Sequence, residues 1–235
     1  NKITQSVMEE FLRLRHKMVP YLYTMNRYAS REGQPLVRPM YWLEPEREET
    51  YDVPNEYYFG TELIAAPITD PADPCTCMGC AKAWLPKGTW FDFFTGRRYE
   101  GGRLLSVWRS VEEMPVFARA GAIVPMQELP EQMNDLSNPE KMEIYVFPGA
   151  DNCFTLWEDE GDSLEDADEN WVCTKLTLKN KEGFFVSAAQ GNISVLPEKR
   201  TWTLHFRGVE NTTVKVQAEG LNVAAEQSYD AAACT

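Results

Sequence analysis

Apolar residues recur at helical spacing over the first thirty positions. Val7, Met8, Phe11 and Leu12, followed by Met18, Val19, Leu22 and Met25, predict a helix over 4–32. Ser6 with Glu9 fits an S-x-x-E capping box at its start. Pro20 falls inside the pattern and removes a backbone donor, so a kink or two abutting helices are expected there. Gly33 then supplies the residue that most readily ends a helix in a left-handed conformation.

The period changes after Gly33. "QPLVRPMYW" is a strand-like apolar run, and the proline- and acid-rich "LEPEREETYDVPNEY" reads as a loop. Helix, buried strand and long loop are what one βα unit of a larger sheet or barrel gives. From Glu62 onward the runs are short and punctuated by "KG", "TG", "EGG" and "AG": "ELIAAPIT", "AKAWLP", "TWFDFF", "RLLSVW" and "MPVFARAGAIVPM". Such spacing argues for an antiparallel sandwich or barrel. Residues 127–140 carry no periodic pattern and read as a linker, after which "KMEIYVFPG", "CFTLWED", "WVCTKLTLKN", "GFFVSAAQG", "RTWTLHFRG" and "TTVKVQAEG" form a second β series. Pattern alone therefore gives one α/β piece and two β domains. It gives no reaction.

Composition narrows the partners. A net charge of −13 lacks the basic footprint that phosphate binding needs, so no nucleic-acid partner is expected, nor docking on an anionic membrane surface. No apolar run approaches the roughly 20 residues that span a bilayer. The chain opens "NKITQSVMEEF", without Met, and reads as a piece beginning mid-protein. Localisation is nearly unreadable from that end, with the cytoplasm favoured. Cysteines at 75, 77, 80, 153, 173 and 234 are too sparse for a disulfide scaffold, so reduced thiols are the simpler expectation.

Each candidate for chemistry has a plainer reading. His16 and His205 have no neighbouring ligand or nucleophile in the sequence and are expected to pack or face solvent. Cys75, Cys77 and Cys80 in "CTCMGC" have soft-metal spacing, but structural zinc takes four ligands and no fourth is near; an ordinary loop is favoured. In "FTLWEDEGDSLEDADENW", eight carboxylates fall between Glu158 and Asn170. Placing Gly161 at the invariant position of a calcium loop puts Leu156 at its first position, which fails the pattern. Acids adjacent on one turn also cannot flank a sugar across the about 5–9.5 Å that glycoside hydrolysis uses. A solvated turn is the expectation. No catalytic, cofactor-binding or metal-binding residue is assigned, and no cofactor is expected.

Four motifs carry a resemblance. "RPMYW", "YYFGTELIAAPIT", "AWLPKGTWFDFFTGRRYEGG" and "MPVFARAGAIVPM", in that order, resemble the C-terminal part of glycoside hydrolase family 31, the α-glucosidase and α-xylosidase family. The matching positions are Arg38 to Tyr41, Phe59 to Ile68, Trp84 to Gly96 and Pro115 to Pro125, and the opening helix is similar to the family's R-Y-x-L-L-P-Y-L-Y segment. "LWEDEG" looks like the L-Y-E-D-D-G turn of the distal sandwich, with Trp157 in place of tyrosine. Residues 175–235 carry little that matches, and "DPADPCTCMGCAK" looks like an insertion.

The resemblance implies a mainly β fold: two antiparallel β-sandwich domains preceded by the last helix and strand of a (β/α)8 barrel. Residues 1–68 are assigned to the barrel remnant, 69–137 to the proximal sandwich and 138–235 to the distal one. It also implies a retaining parent enzyme that hydrolyses terminal α-linked glucose, or xylose, from oligosaccharides. Its nucleophile and acid/base aspartates lie on barrel strands upstream, the first in a W-x-D-M-N-E-type motif absent here. A whole barrel takes about 250 residues, so this piece is expected to be inactive alone and to partner the rest of its barrel. Exposed barrel-facing surface would favour self-association.

Within the β region, "LPKGTWFDFFTG" suggests a hairpin turning on Lys87–Gly88. Its aromatics Trp84, Trp90, Phe91, Phe93 and Phe94 are expected to fill a core in preference to stacking on sugar. Asn192 and Asn211 head N-x-[ST] sequons, which matter only in a secretory pathway. A stand-alone carbohydrate-binding β module is the competing reading.

Overall fold

A computed structural model describes residues 2–129, 137–161 and 170–231. The expected long helix is two: α1 (Lys2–Lys17) and α2 (Val19–Glu32). Pro20 stands in the first turn of α2, where a missing N–H costs nothing, and Met18 and Leu22 continue the bonding across the joint (Met18 N–H to Leu14 O, 3.0 Å; Leu22 N–H to Met18 O, 2.9 Å). The capping box does not form. α1 already runs from Lys2, which leaves Ser6 inside the helix, and the Glu9 carboxylate instead accepts from Gln5 Nε2 at 2.8 Å.

Gly33 ends α2 as expected, at φ +68°, with its N–H on Ala29 O and the Gln34 N–H on Tyr28 O. A Cβ at Gly33 would meet nothing within 4 Å, so Gly33→Ala tests backbone conformation alone. The expected loss is about 1 kcal/mol in denaturant unfolding.

The rest is mainly β. In chain order the strands are β1 (Val37–Pro39), β2 (Tyr57–Phe59), β3 (Leu63–Ala65), β4 (Gly79–Leu85), β5 (Thr89–Asp92) and β6 (Arg98–Glu100). Then come β7 (Arg103–Arg109), β8 (Val116–Arg119), β9 (Ile123–Gln127), β10 (Lys141–Val146), β11 (Asn152–Asp159) and β12 (Trp171–Lys179). Last are β13 (Gly183–Val186), β14 (Gln190–Gly191), β15 (Thr201–Phe206), β16 (Val216–Ala218) and β17 (Leu221–Val223).

A six-stranded antiparallel sheet has the order β1-β2-β3-β8-β5-β6, and β4 pairs with β7 in a separate two-stranded sheet. The expected hairpin at Lys87–Gly88 is therefore not formed. Pro86, Lys87 and Gly88 carry the chain from one sheet to the other, so β5 pairs with β6 and β8 rather than with β4. Trp90 Nε1 donates to Pro86 O at 2.8 Å and holds that crossover in place.

Strand alternation explains why the six-stranded sheet is apolar on both faces. Leu63, Ala65, Phe91, Val116 and Ala118 enter one core, which α1, α2 and β9–β12 complete. Their neighbours Ile64, Trp90 and Phe117 enter a second core closed by Ala81, Ala83, Leu85 and Val107 of the β4/β7 pair. Trp84, Trp90, Phe91 and Phe93 are buried, and Phe94 packs at the edge of the first core.

The second β series makes a four-stranded sheet, β11-β12-β13 with β14 on β12, and a three-stranded one, β15-β10-β9. One pairing departs from the antiparallel expectation. β10 and β15 run parallel, because β11–β14 lie between them as a long crossover. The expected borders at 68 and 137 both fall between hydrogen-bonded strands: β3 pairs β8, and β9 pairs β10. Of the linker expected at 127–140, residues 130–136 lie outside the described residues.

Candidate functional site

Among the described residues four acidic side chains sit inside the fold, and each meets a different environment. Glu62, one residue before β3, is 3% exposed. Its carboxylate accepts from Thr61 Oγ1 (2.8 Å), Arg119 Nη2 (3.1 Å), Ile123 N (3.1 Å) and Asn152 Nδ2 (2.9 Å). Tyr21 of α2 joins the same knot, its hydroxyl donating to Phe59 O (2.8 Å) and accepting from Glu62 N (3.2 Å). Burial, reinforced by the nearby Glu62 charge, holds the Tyr21 hydroxyl well above the ordinary tyrosine value, so it stays a neutral donor. Arg38 Nη2 reaches Gly60 O at 2.6 Å. One helix and strands β1, β3, β9 and β11 thus meet at residues 60–62.

Asp92 lies at the end of β5 and is 1% exposed. One oxygen closes the following turn by accepting from Phe94 N (3.0 Å) and Thr95 N (2.9 Å). The other takes Arg109 Nη2 of β7 at 2.6 Å, linking the two sheets of the second core.

Glu158 overturns part of the reading of the acidic stretch. β11 continues to Asp159, and its inward positions are Phe154, Leu156 and Glu158, so alternation turns this acid into the fold. It meets Arg200 in a two-pronged pair at 2.7 and 2.9 Å, with the two side chains 5% and 9% exposed. Asp159 accepts from the Tyr23 hydroxyl of α2, and its oxygen Oδ1 closes the turn at Gly161 N (2.9 Å). Thr24 Oγ1 accepts from Trp157 N at 3.1 Å, and the Arg27 guanidinium lies 4.0 Å over the Trp157 ring. Residues 162–169 lie outside the described residues, so the solvated-turn expectation for the rest of the stretch does too.

Glu56, just before β2, is the fourth. It is 3% exposed; among the described residues it accepts only from Trp84 N at 2.8 Å, and its Oε1 finds no partner. Burial pushes its carboxyl up to about 8.

The remaining candidates scatter. His16 is half-buried in α1; His205 stacks on Tyr145 at 4.6 Å in β15, and burial holds its pKa below the ordinary value. Cys75 and Cys77 are exposed on a turn built around Asp73, and Cys80 sits at the start of β4. Among the described residues no three His, Cys, Asp or Glu side chains gather as metal ligands. Asn192 caps a short turn, accepting from Ser194 N (3.1 Å), and donates to Asn170; Asn211 is exposed.

What remains open is a groove. Phe11 and Leu14 of α1, with Met18 at the joint before α2, face Tyr57, Phe59, Leu63, Phe93 and Phe94 across an apolar cleft, while Ile3, Met8, Leu12 and Val19 are exposed. Glu62, Asp92 and Glu158 bind separate strands together, and this groove is apolar.

Known proteins place the chain. Residues 33–124 match the Glycosyl hydrolase family 31 C-terminal domain. Over that stretch the chain is similar to glycoside hydrolase family 31. Family 31 relatives cover most of it: an α-xylosidase of Saccharolobus solfataricus is 27% identical over 92% of this chain and 29% of that protein. An α-glucosidase 2 of Bacillus thermoamyloliquefaciens is 25% identical over 93% of this chain and 27% of that protein. The crystal structure of a family 31 α-xylosidase from Xanthomonas citri superposes with a TM-score of 0.74 at 26% identity, covering 92% of this chain and 24% of that one. The chain thus spans less than a third of the relatives it matches. The family 31 domain match crosses residue 68 and begins at residue 33, where α2 ends.

The sequence reading missed Glu62, Asp92, Glu158 and Arg200. For the first two a signal was present: a single acid set directly against a run of large apolar residues.

Proposed function

We propose that this chain is the C-terminal part of a retaining α-glycosidase of the α-glucosidase or α-xylosidase type. In this reading its β domains buttress a catalytic (β/α)8 barrel, and the two catalytic aspartates belong to barrel strands outside the 235 residues. Residues 1–68 are the last part of that barrel, 69–137 the proximal sandwich and 138–235 the distal one, the two sandwiches being joined by the β9–β10 pairing. The observation that carries the reading is the bare apolar side of α1, with Met8 and Leu12 about 60% exposed beside the apolar groove. A surface of that kind calls for a covering partner, and the rest of the barrel is the partner that the family supplies. The substrate of the parent is an α-linked oligosaccharide.

The experiment compares the purified 235-residue chain with the full parental gene product on aryl α-glucoside and aryl α-xyloside. The expected result is turnover by the parent and none by the chain. Turnover by the chain alone would sink the assignment. Light scattering of the chain should show association that rises with concentration; a monomer at every concentration argues against an exposed barrel-facing surface.

A second reading, a carbohydrate-binding module, has its own observation. Tyr41 and Tyr51 stack at 5.0 Å and 5°, both exposed, with Trp42 beside them in sequence. Calorimetric titration with maltose decides it: binding in the millimolar range or tighter, lost in Trp42→Ala, favours the module.

A further inference from the structure

The 40–56 segment joins β1 to β2 and lies over β4. Met40, Thr50 and Val53 are its buried anchors, and Trp84 Nε1 reaches back to Glu44 at 3.4 Å. Its last anchor is Glu56, whose N–H closes a turn on Val53 O (3.0 Å). Glu56 Oε2 takes the backbone N–H of Trp84 near the end of β4. The other oxygen is buried without a partner, and among the described residues no arginine or lysine forms an ion pair with Glu56. The charged and titratable groups around the site are Arg38 on β1, Tyr58 on β2, and Glu44 and Arg47 from the segment itself, with Arg47 lying 5.8 Å over the Trp84 ring. An unpaired carboxylate in that setting is far costlier than the neutral acid.

We propose that Glu56 is held as the neutral acid and makes residues 43–56 a proton-gated flap, closed on β4 when Glu56 is protonated and released when it ionises. Lifting the flap exposes Trp84 and hydrates the carboxylate, while Arg38 and Tyr58 stay on their strands. The sign follows from linkage. The closed state binds the proton more tightly than the open state, whose carboxyl has the ordinary value near 4.5. Closing is therefore strongest in acid, weakens as pH rises from about 4.5 to about 8, and changes no further above that.

Amide hydrogen exchange on the 235-residue chain tests this between pH 5 and pH 9, corrected for the intrinsic base-catalysed rate. Opening of peptides within 43–56 should rise about tenfold per pH unit up to about pH 8 and then level off. Glu56→Gln, which keeps the shape without the ionisation, should flatten that slope. A flat profile in the wild-type chain overturns the proposal, and so does an equal slope in E56Q, which would assign the proton elsewhere. β10 serves as the internal control, including for the case in which E56Q does not fold. If 43–56 exchanges no faster than β10, the opening is global and the gate does not exist.

Discussion

Glu62→Ala should lower stability by about 3 kcal/mol, one of the largest effects expected of a single substitution in this chain. Truncation removes the acceptor of the Ile123 N–H, which is fully buried, and of the Asn152 amide. A buried donor left without a partner costs about 1–3 kcal/mol; the Ile123 N–H bears that cost, and the half-buried Asn152 amide adds a smaller one. Arg119 contributes less to the loss, because its side chain is 44% exposed and water replaces the carboxylate. For a chain of this size the shift in thermal midpoint should be about 10 °C. Glu62→Gln separates the contributions: it preserves volume and one acceptor, so about half of the loss should remain. Thermal and urea unfolding of both variants measure it. A loss below about 1 kcal/mol in the alanine variant would mean that the knot between α2, β3, β9 and β11 holds without its carboxylate.

Gly60→Ala should be as damaging, for a different reason. Gly60 sits at φ +66°, where a side chain is already strained by about 1 kcal/mol. A Cβ there would stand 2.2 Å from the Tyr21 hydroxyl oxygen and 2.8 Å from Met25 Sδ. Tyr21 is fully buried, so it has no free space into which to swing, and moving it breaks its bonds to Phe59 O and Glu62 N. Strain, overpacking and lost hydrogen bonds together should cost about 3–4 kcal/mol. The double variant Gly60→Ala/Tyr21→Phe distinguishes the causes. If the hydroxyl is the obstacle, adding Tyr21→Phe to Gly60→Ala should cost less than Tyr21→Phe costs alone. Full additivity would place the effect outside the hydroxyl, in the backbone of residue 60 and its contact with Met25 and the Tyr21 ring.

Local features were legible in the sequence, while pairings between distant segments were not. The Pro20 joint, the Gly33 stop and the burial of Trp84, Trp90, Phe91 and Phe93 follow from residue chemistry over a few positions, and the structure has all of them. The family could be read from four motifs in order, and the domain match bears it out. Strand partners are another matter. Nothing near Lys87–Gly88 says that β4 belongs with β7, because a glycine turn serves equally for a hairpin and for a step between sheets. The parallel union of β10 with β15 is invisible for the same reason. Glu158 looked like one more acid of a solvated turn until β11 proved long enough to turn it inward, towards an arginine 42 residues away. The capping box failed because a motif says where a helix can start and the helix began earlier.

The fastening of α2 to β11 also sets an order of events during synthesis. Thr24 waits for the Trp157 N–H, and Tyr23 for Asp159, across 133 and 136 positions of chain. At ribosomal speeds that separation is roughly 10 s. Throughout that interval the side of α2 that will face β11 has left the ribosome without its cover. A nascent chain arrested ahead of β11 would therefore present helices made but not seated, the form that chaperones hold, and the arrival of β11 releases them.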